Sequence, residues 1–148
     1  TYWSNCKVRI NLLKDSRNNY HENDYKIIRE LIKKFRLHRI ILKEPNIINI
    51  NYNTPKDKTI NKFENISGSN INDCKRSKVI KRWLRLSEII QDNSKKSVII
   101  FVTLPVPTTY ITPLQYKALL YILSDQSILP PTILMRGNGQ QTLTFYSE

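Results

Sequence analysis

Glycine is scarce in this sequence. The 148 residues include three glycines, Gly68, Gly137 and Gly139. The Walker A phosphate loop and the dinucleotide-binding fingerprint each need glycines at fixed spacings that these three do not provide. Two common ways of holding nucleotide phosphates are therefore excluded.

Cysteine and long apolar runs are also rare. The two cysteines, Cys6 and Cys74, are too few for a disulfide-stabilised secreted scaffold and favour a reducing, cytosolic setting. The longest apolar runs, residues 97–104 and 128–135, fall short of the about 20 residues that a membrane-spanning helix needs. Because the first residue is Thr1 rather than Met, we expect the chain to be part of a longer protein.

Positive charge is abundant. Lysine and arginine number 24 against 12 acidic residues, which gives a net charge of +12 and a pI of about 9.8. Such a surface favours phosphates, acidic lipid headgroups or an acidic protein partner, without choosing among them. The hydrophobic content of 40% is enough for one core and argues against intrinsic disorder.

The hydrophobic pattern alternates between strand and helix periods. Strands are predicted at residues 6–13, 39–43, 97–104, 132–135 and 142–146, and helices at residues 22–35, at residues 75–92 and from Thr112 onward. The almost unbroken apolar run 97–104 predicts a central strand covered on both faces. This order indicates an α/β domain with three layers, a mainly parallel sheet and flanking helices.

The third helix has the best-marked start. Thr112 can cap it, Pro113 suits its first position, and Gln115 can complete a capping box. By contrast, residues 44–74 contain eight asparagines with few apolar anchors, and we interpret them as a long mobile insertion.

Catalytic and metal-binding patterns are missing. Neither His21 nor His38 has a second histidine or a cysteine at ligand spacing, and the carboxylates are scattered. Cys74 has basic neighbours that can lower the pKa of a thiol, but no histidine is near it in sequence, and a bystander thiol is the stronger interpretation. We therefore predict no enzyme activity, no metal site and no cofactor.

The predicted helix 75–92 has an apolar stripe and a basic face. The stripe consists of Val79, Trp83, Leu86 and Ile90. The candidate electrostatic contact face consists of Lys78, Arg82 and Arg85. This face can hold nucleic-acid phosphates, with Trp83 and Tyr110 stacking on bases, or it is a solvated helix surface. Because Trp83 lies on the apolar stripe, nucleic acid is the weaker alternative.

The carboxyl-terminal tract PPTILMRGNGQQTLTFYSE resembles the terminal segment of the cation-chloride cotransporters. Further tracts agree with that family in order: CKVRI, KKFR, RLSEII, VTLPV and LQYKALLYILS. The turn Arg136, Gly137 and Asn138, followed by Leu-Thr-Phe-Tyr, is similar to the sodium-dependent branch, the sodium-potassium-chloride and sodium-chloride cotransporters. Residues 107–110 depart from the family, where a basic Arg-Lys-Gly stretch usually stands.

This resemblance implies a cytosolic regulatory and dimerisation domain. Residues 1–148 would form the single distal carboxyl-terminal domain, similar in fold to universal stress proteins, on the cytoplasmic side of a multi-pass membrane protein. The implied parent moves chloride with sodium and potassium by secondary active transport. The implied partners are its own transmembrane domain, a second subunit of a homodimer and anionic lipid headgroups. No residue here is assigned as an ion ligand.

Two points stay open at the level of sequence. Family members have been seen to hold ATP, but the glycine-poor loops here give no independent support for nucleotide binding. The rival function is a free-standing basic α/β protein that binds nucleic acid.

We interpret the Arg136 turn as structural, with Gly137 and Gly139 adopting backbone angles closed to other residues.

Overall fold

The structure is a computed structural model, and it describes residues 9–15, 21–34, 46–50 and 55–137. The chain divides into two compact units, Thr1–Asn51 and Tyr52–Glu148, which are described separately here. The organisation of residues 1–148 as a single domain stays a prediction.

The first unit contains a parallel pair of strands. Strand β1 is Asn11–Asp15, helix α1 is His21–Lys34 and strand β2 is Asn46–Ile50. The register runs in step from Asn11 opposite Asn46 to Asp15 opposite Ile50. Parallel strands need a crossover, and α1 lies within that crossover in the sequence. The helix predicted at 22–35 is confirmed up to Lys34, whereas the strand predicted at 39–43 lies outside the described residues.

The second unit is richer in helix. It contains helix α2 (Asp57–Ser67), a 3₁₀ turn (Ile71–Asp73), helix α3 (Ser77–Ser94), strand β3 (Ile100–Thr103), helix α4 (Pro113–Leu123) and strand β4 (Thr132–Met135). Strands β3 and β4 pair in parallel, from Ile100 opposite Thr132 to Thr103 opposite Met135. The described residues thus form a mixed α/β structure with two two-stranded parallel sheets. The strand predicted at 142–146 lies outside the described residues.

The interpretation of residues 44–74 as a mobile insertion is wrong for the part that the structure describes. That part contains β2, α2 and the 3₁₀ turn, and the Phe63 side chain is completely buried. Ile60, Phe63 and Ile66 recur every three residues, so they share one face of a helix. The many asparagines occupy other positions and do not prevent this packing.

The core of the second unit lies among α2, α3 and α4. Its buried members are Phe63, Ile71, Cys74, Ile80, Leu84, Ala118, Leu119 and Ile122. On α3, the side chains of Ile80 and Leu84 are fully buried. Each of them follows a residue of the predicted stripe, Val79 or Trp83, by one position. Trp83 is partly buried and packs against the core from its flank. The predicted stripe is therefore wrong by one residue, about 100° around the helix, and its four members are partly buried at the edge of the core.

Helix α4 begins where the sequence predicts. The Thr112 hydroxyl accepts a hydrogen bond from the Gln115 backbone N–H at 3.2 Å, and the Gln115 side-chain oxygen accepts one from the Thr112 N–H at 3.1 Å. Pro113 occupies the first turn. This capping box is confirmed.

Strand β3 is buried on one face only. Ile100 is buried, but Phe101 is 63% exposed. Phe101 lies opposite Ile133 and Thr103 lies opposite Met135, and all four side chains are exposed. The prediction that both faces of this strand are covered is wrong for these residues, because side chains alternate between the faces and only the Ile100 side is packed against the core.

Candidate electrostatic site

The predicted basic face does not form one exposed surface. Lys78 and Arg82 are exposed on the first half of α3, but Arg85 is half-buried. The Arg85 guanidinium donates a hydrogen bond to a Glu88 carboxylate oxygen at 2.5 Å, one turn further along the helix. Arg85 is therefore committed to a contact within the fold.

Glu88 explains the position of Arg85. Its side chain is only 2% exposed, and a buried carboxylate needs partners to offset its lost hydration. Its second oxygen accepts a hydrogen bond from the Lys56 backbone N–H at 2.6 Å. Lys56 precedes α2 and makes no side-chain cap of its own. Glu88 thus connects the start of α2 to the middle of α3.

A second cation contact lies at the start of α3. The Arg76 guanidinium carbon lies 4.9 Å from the centroid of the Tyr110 ring, which is cation–π distance. Tyr110 belongs to the loop between β3 and α4, far from Arg76 in sequence. The sequence indicated both the basic segment and an exposed aromatic residue, but it gave no signal that they meet.

The loop that carries Tyr110 is anchored at both ends. Before it, the carbonyl of buried Pro105 accepts a hydrogen bond from the Tyr116 hydroxyl at 3.0 Å. After it, Thr112 caps α4. All five residues between Pro105 and Ile111 are exposed, and none of them is charged. We call residues 106–110 the edge loop.

The Arg136 turn follows β4 at the same end of the sheet. The Leu104 N–H donates a hydrogen bond to the Met135 carbonyl at 2.7 Å. Arg136, the next residue after Met135, therefore follows a residue that is bonded to the segment leading into the edge loop. Arg136 and Gly137 are exposed, whereas Asn138 and Gly139 lie outside the described residues. The predicted special backbone conformation is wrong for Gly137, whose φ is not in the left-handed region and whose added Cβ would meet no atom within 4 Å.

Gly68 is the glycine that has a special conformation. It ends α2 with a φ of 65°, and its N–H donates to the Glu64 carbonyl at 2.8 Å. A left-handed residue at this position satisfies one of the last carbonyls of a helix, and glycine adopts it with the least strain.

A second basic surface lies between α2 and α4. It is an open groove of about 850 Å³ lined by Lys58, Asn61, Lys62, Asn65, Ile66, Lys117 and Tyr121. Lys62 forms an ion pair with buried Asp125, and its ammonium lies 5.3 Å from the centroid of the Tyr121 ring. The central cation of this groove is therefore already engaged.

The pKa of the Asp125 carboxyl is lowered in the folded chain. Burial raises the pKa of its carboxyl, but hydrogen bonds from Lys62 and Ser127 outweigh that effect. The pKa of Asp125 consequently lies below its ordinary value, and the carboxylate is charged at neutral pH.

Cys74 lies in a structural environment. Its sulfur accepts a hydrogen bond from the Gln115 side-chain amide at 3.3 Å, and the side chain is buried in the core. Burial raises the pKa of the Cys74 thiol, and the carboxylates of Asp73 and Glu64 raise it further. The thiol is protonated at neutral pH, so its basic neighbours in sequence do not activate it.

The described ranges contain neither a metal-binding cluster nor a membrane-spanning helix. Residues 9–15, 21–34, 46–50 and 55–137 contain no group of three or more His, Cys, Asp or Glu residues arranged to hold a metal ion. In the same ranges, no helix combines the length and the apolar character needed to cross a bilayer.

The comparisons with known proteins settle the family. A model of solute carrier family 12 matches residues 1–147. The chain belongs to solute carrier family 12. Among its relatives, human solute carrier family 12 member 3 is 31% identical over 174 residues, covering 99% of this chain and 16% of the relative. A bumetanide-sensitive sodium-(potassium)-chloride cotransporter of Manduca sexta is 34% identical over 161 residues, covering 98% of this chain and 14% of the relative.

These relatives confirm the resemblance to the sodium-dependent branch of the cation-chloride cotransporters. Human solute carrier family 12 member 1 is a further relative, 30% identical over 139 residues. The chain spans only 12% to 16% of the length of these three relatives. It therefore corresponds to a small part of a solute carrier family 12 protein.

Proposed function

We propose that this chain is a cytosolic regulatory and dimerisation domain of a sodium-dependent cation-chloride cotransporter. The observation that carries the proposal is the match of solute carrier family 12 to residues 1–147. Because the chain spans a small part of its relatives, the residues that bind transported ions would lie elsewhere in the parent. The parent's activity would be secondary active transport of chloride with sodium and potassium.

The proposed position is the distal carboxyl-terminal domain, on the cytoplasmic side of the membrane. The Arg136 turn and the tract around it support that position through their similarity to the terminal segment of the family. A fold like that of universal stress proteins is part of the proposal. The parallel pairing of β3 with β4, and the position of α4 between these two strands in the sequence, support it.

The proposed partners are the transmembrane domain of the same chain and a second subunit of a homodimer. Both roles require surface that the fold itself does not use. Phe101, Ile133 and Met135 provide such surface on the open face of the β3–β4 sheet. The rival function, nucleic-acid binding, has less support because Trp83 packs against the core and is not free to stack on bases.

The deciding experiment uses the full-length parent. Its reading frame should contain about ten to twelve hydrophobic segments, each about 20 residues long, upstream of this chain. Cells that express the parent should show chloride-dependent uptake of sodium, or of rubidium as a tracer for potassium. Deletion of residues 1–148 from the parent should reduce that uptake or its regulation. Cross-linking of the same deletion variant should show loss of the dimer. A short reading frame without hydrophobic segments, or unchanged transport and dimerisation after the deletion, would refute the proposal.

A further inference from the structure

We infer that the start of α3 and the edge loop together form a docking surface for an anionic lipid bilayer. The surface consists of Lys75, Arg76, Lys78, Val106 and Tyr110, and we call it the edge surface. The inference relies on the proposed function only for the source of the bilayer, which would be the cytoplasmic leaflet around the parent transporter.

Basic charge is concentrated at the start of α3. Between Lys75 and Arg85, six of the eleven residues are basic and none is acidic. Lys75, Arg76 and Lys78 are all exposed. Lys75 and Arg76 form the turn directly before α3 and Lys78 lies in its first turn, so these three cations belong to four consecutive residues of the chain. They therefore attract an anionic surface together.

The edge loop exposes apolar side chains. Val106 is 53% exposed and Tyr110 is 52% exposed, and the loop around them carries no charge. Hydrogen bonds at Pro105 and Thr112 fix the two ends of the loop, and the residues between them are exposed. Tyrosine favours the interface between water and hydrocarbon, where its ring is buried and its hydroxyl stays hydrated. Exposed apolar residues beside cations are what peripheral membrane binding requires.

The basic segment and the edge loop are in contact with each other. Arg76 lies over the Tyr110 ring, so the basic start of α3 and the edge loop are in direct contact. The same contact covers one face of the ring and leaves it unsuited to stacking between nucleic-acid bases. Arg85 is not part of the surface because Glu88 holds it. The groove at Lys62 is a weaker candidate, since Asp125 already neutralises its central cation.

The test measures binding of the 148-residue chain to vesicles. Vesicles of phosphatidylcholine with about one third phosphatidylserine are compared with phosphatidylcholine alone at about 0.1 M salt, by co-sedimentation. The double variant Lys75→Glu and Lys78→Glu should bind the anionic vesicles more weakly by a factor of at least about 25, because each basic side chain near such a surface contributes about fivefold and the new carboxylates are repelled by the anionic lipid. The matched control, Lys58→Glu with Lys117→Glu, makes the same charge change in the groove and should alter binding by less than about twofold.

The edge loop is tested separately from the charge. Val106→Ser with Tyr110→Ser should weaken vesicle binding about tenfold, since it removes apolar burial without changing charge. The same variant should bind heparin, a soluble polyanion, as well as the unaltered chain does. All variants replace exposed side chains, and thermal unfolding monitored by circular dichroism confirms that each one is folded.

Several results would overturn the inference. One is equal binding of the unaltered chain to neutral and anionic vesicles. Another is a loss of vesicle binding in the groove control as large as that in the Lys75 and Lys78 variant. A third is unchanged vesicle binding by the variant of Val106 and Tyr110. Tighter binding to duplex DNA than to anionic vesicles would also overturn it and would favour the rival function. The vesicle results do not bear on ion transport by the parent, so their failure would overturn the inference and leave the proposed function standing.

Discussion

A carboxylate oxygen of Glu88 accepts a hydrogen bond from the backbone N–H of Lys56 at 2.6 Å, across 32 positions of the chain. The other oxygen holds the Arg85 guanidinium. One buried side chain thus satisfies a donor at the start of α2 and fixes a cation on α3. Both contacts disappear together if Glu88 is shortened.

Replacement of Glu88 by alanine should destabilise the second unit by about 3 kcal/mol, because a half-buried guanidinium and a backbone N–H lose their partner. Glu88→Gln should cost less, since an amide oxygen can still accept from Lys56. Urea unfolding at neutral pH measures both effects. Lys78→Glu is the exposed control on the same helix, and its unfolding midpoint should match that of the unaltered chain. An equal midpoint for Glu88→Ala would show that the contact does not stabilise the fold.

The two glycines should respond differently to alanine. Gly68→Ala should destabilise the chain by about 1 kcal/mol, because alanine is strained at the left-handed φ of 65°. Gly137→Ala should leave the melting temperature unchanged, since its Cβ has open space and the backbone is not left-handed. Differential scanning calorimetry makes the comparison. A loss at Gly137 equal to that at Gly68 would restore a structural role for the glycine of the Arg136 turn.

The Asp125 carboxylate should make stability depend on pH. Its pKa is lower in the folded chain than the ordinary value of about 3.9, so its stabilising contribution is complete above that value and is lost as pH falls through the folded pKa. The stability difference between the unaltered chain and Asp125→Asn should therefore shrink from about pH 5 to pH 3. Urea midpoints across this range measure the difference. Asp92→Asn, the same change at an exposed position, is the control, and a pH-independent difference at Asp125 would contradict the assignment.

The capping box should make a measurable contribution to α4. Thr112→Ala removes the hydroxyl that accepts from the Gln115 N–H, which should cost about 1 kcal/mol. Thr109→Ala changes an exposed threonine of the edge loop and should have no comparable effect. Thermal unfolding of both variants measures the difference. Equal melting temperatures would mean that tertiary packing alone fixes the start of the helix.

The parts of the fold that could be predicted are those with local causes. Thr112, Pro113 and Gln115 determine the start of α4 within four residues, so this helix followed from the sequence. The apolar spacing also predicted α1, α3, β3 and β4. In α2 the helical spacing of Ile60, Phe63 and Ile66 is present, but the asparagine-rich composition around it is typical of a loop and masks this signal.

The contacts that define the candidate site have distant causes. Glu88 meets Lys56, and Arg76 meets Tyr110, only because segments far apart in the sequence pack together. No local pattern marks such pairs. The sequence therefore identified Lys78, Arg82 and Arg85 as a set by their spacing, whereas the packing separates Arg85 from the other two.

The open face of the β3–β4 sheet has a consequence for the colloidal behaviour of the isolated chain. Phe101, Ile133 and Met135 present an apolar area to solvent, while a net charge of +12 keeps separate molecules apart. Added salt weakens that long-range repulsion but leaves apolar attraction intact. Solubility should consequently fall as ionic strength rises, and polar replacement of Phe101 should restore it without altering the charge of the chain.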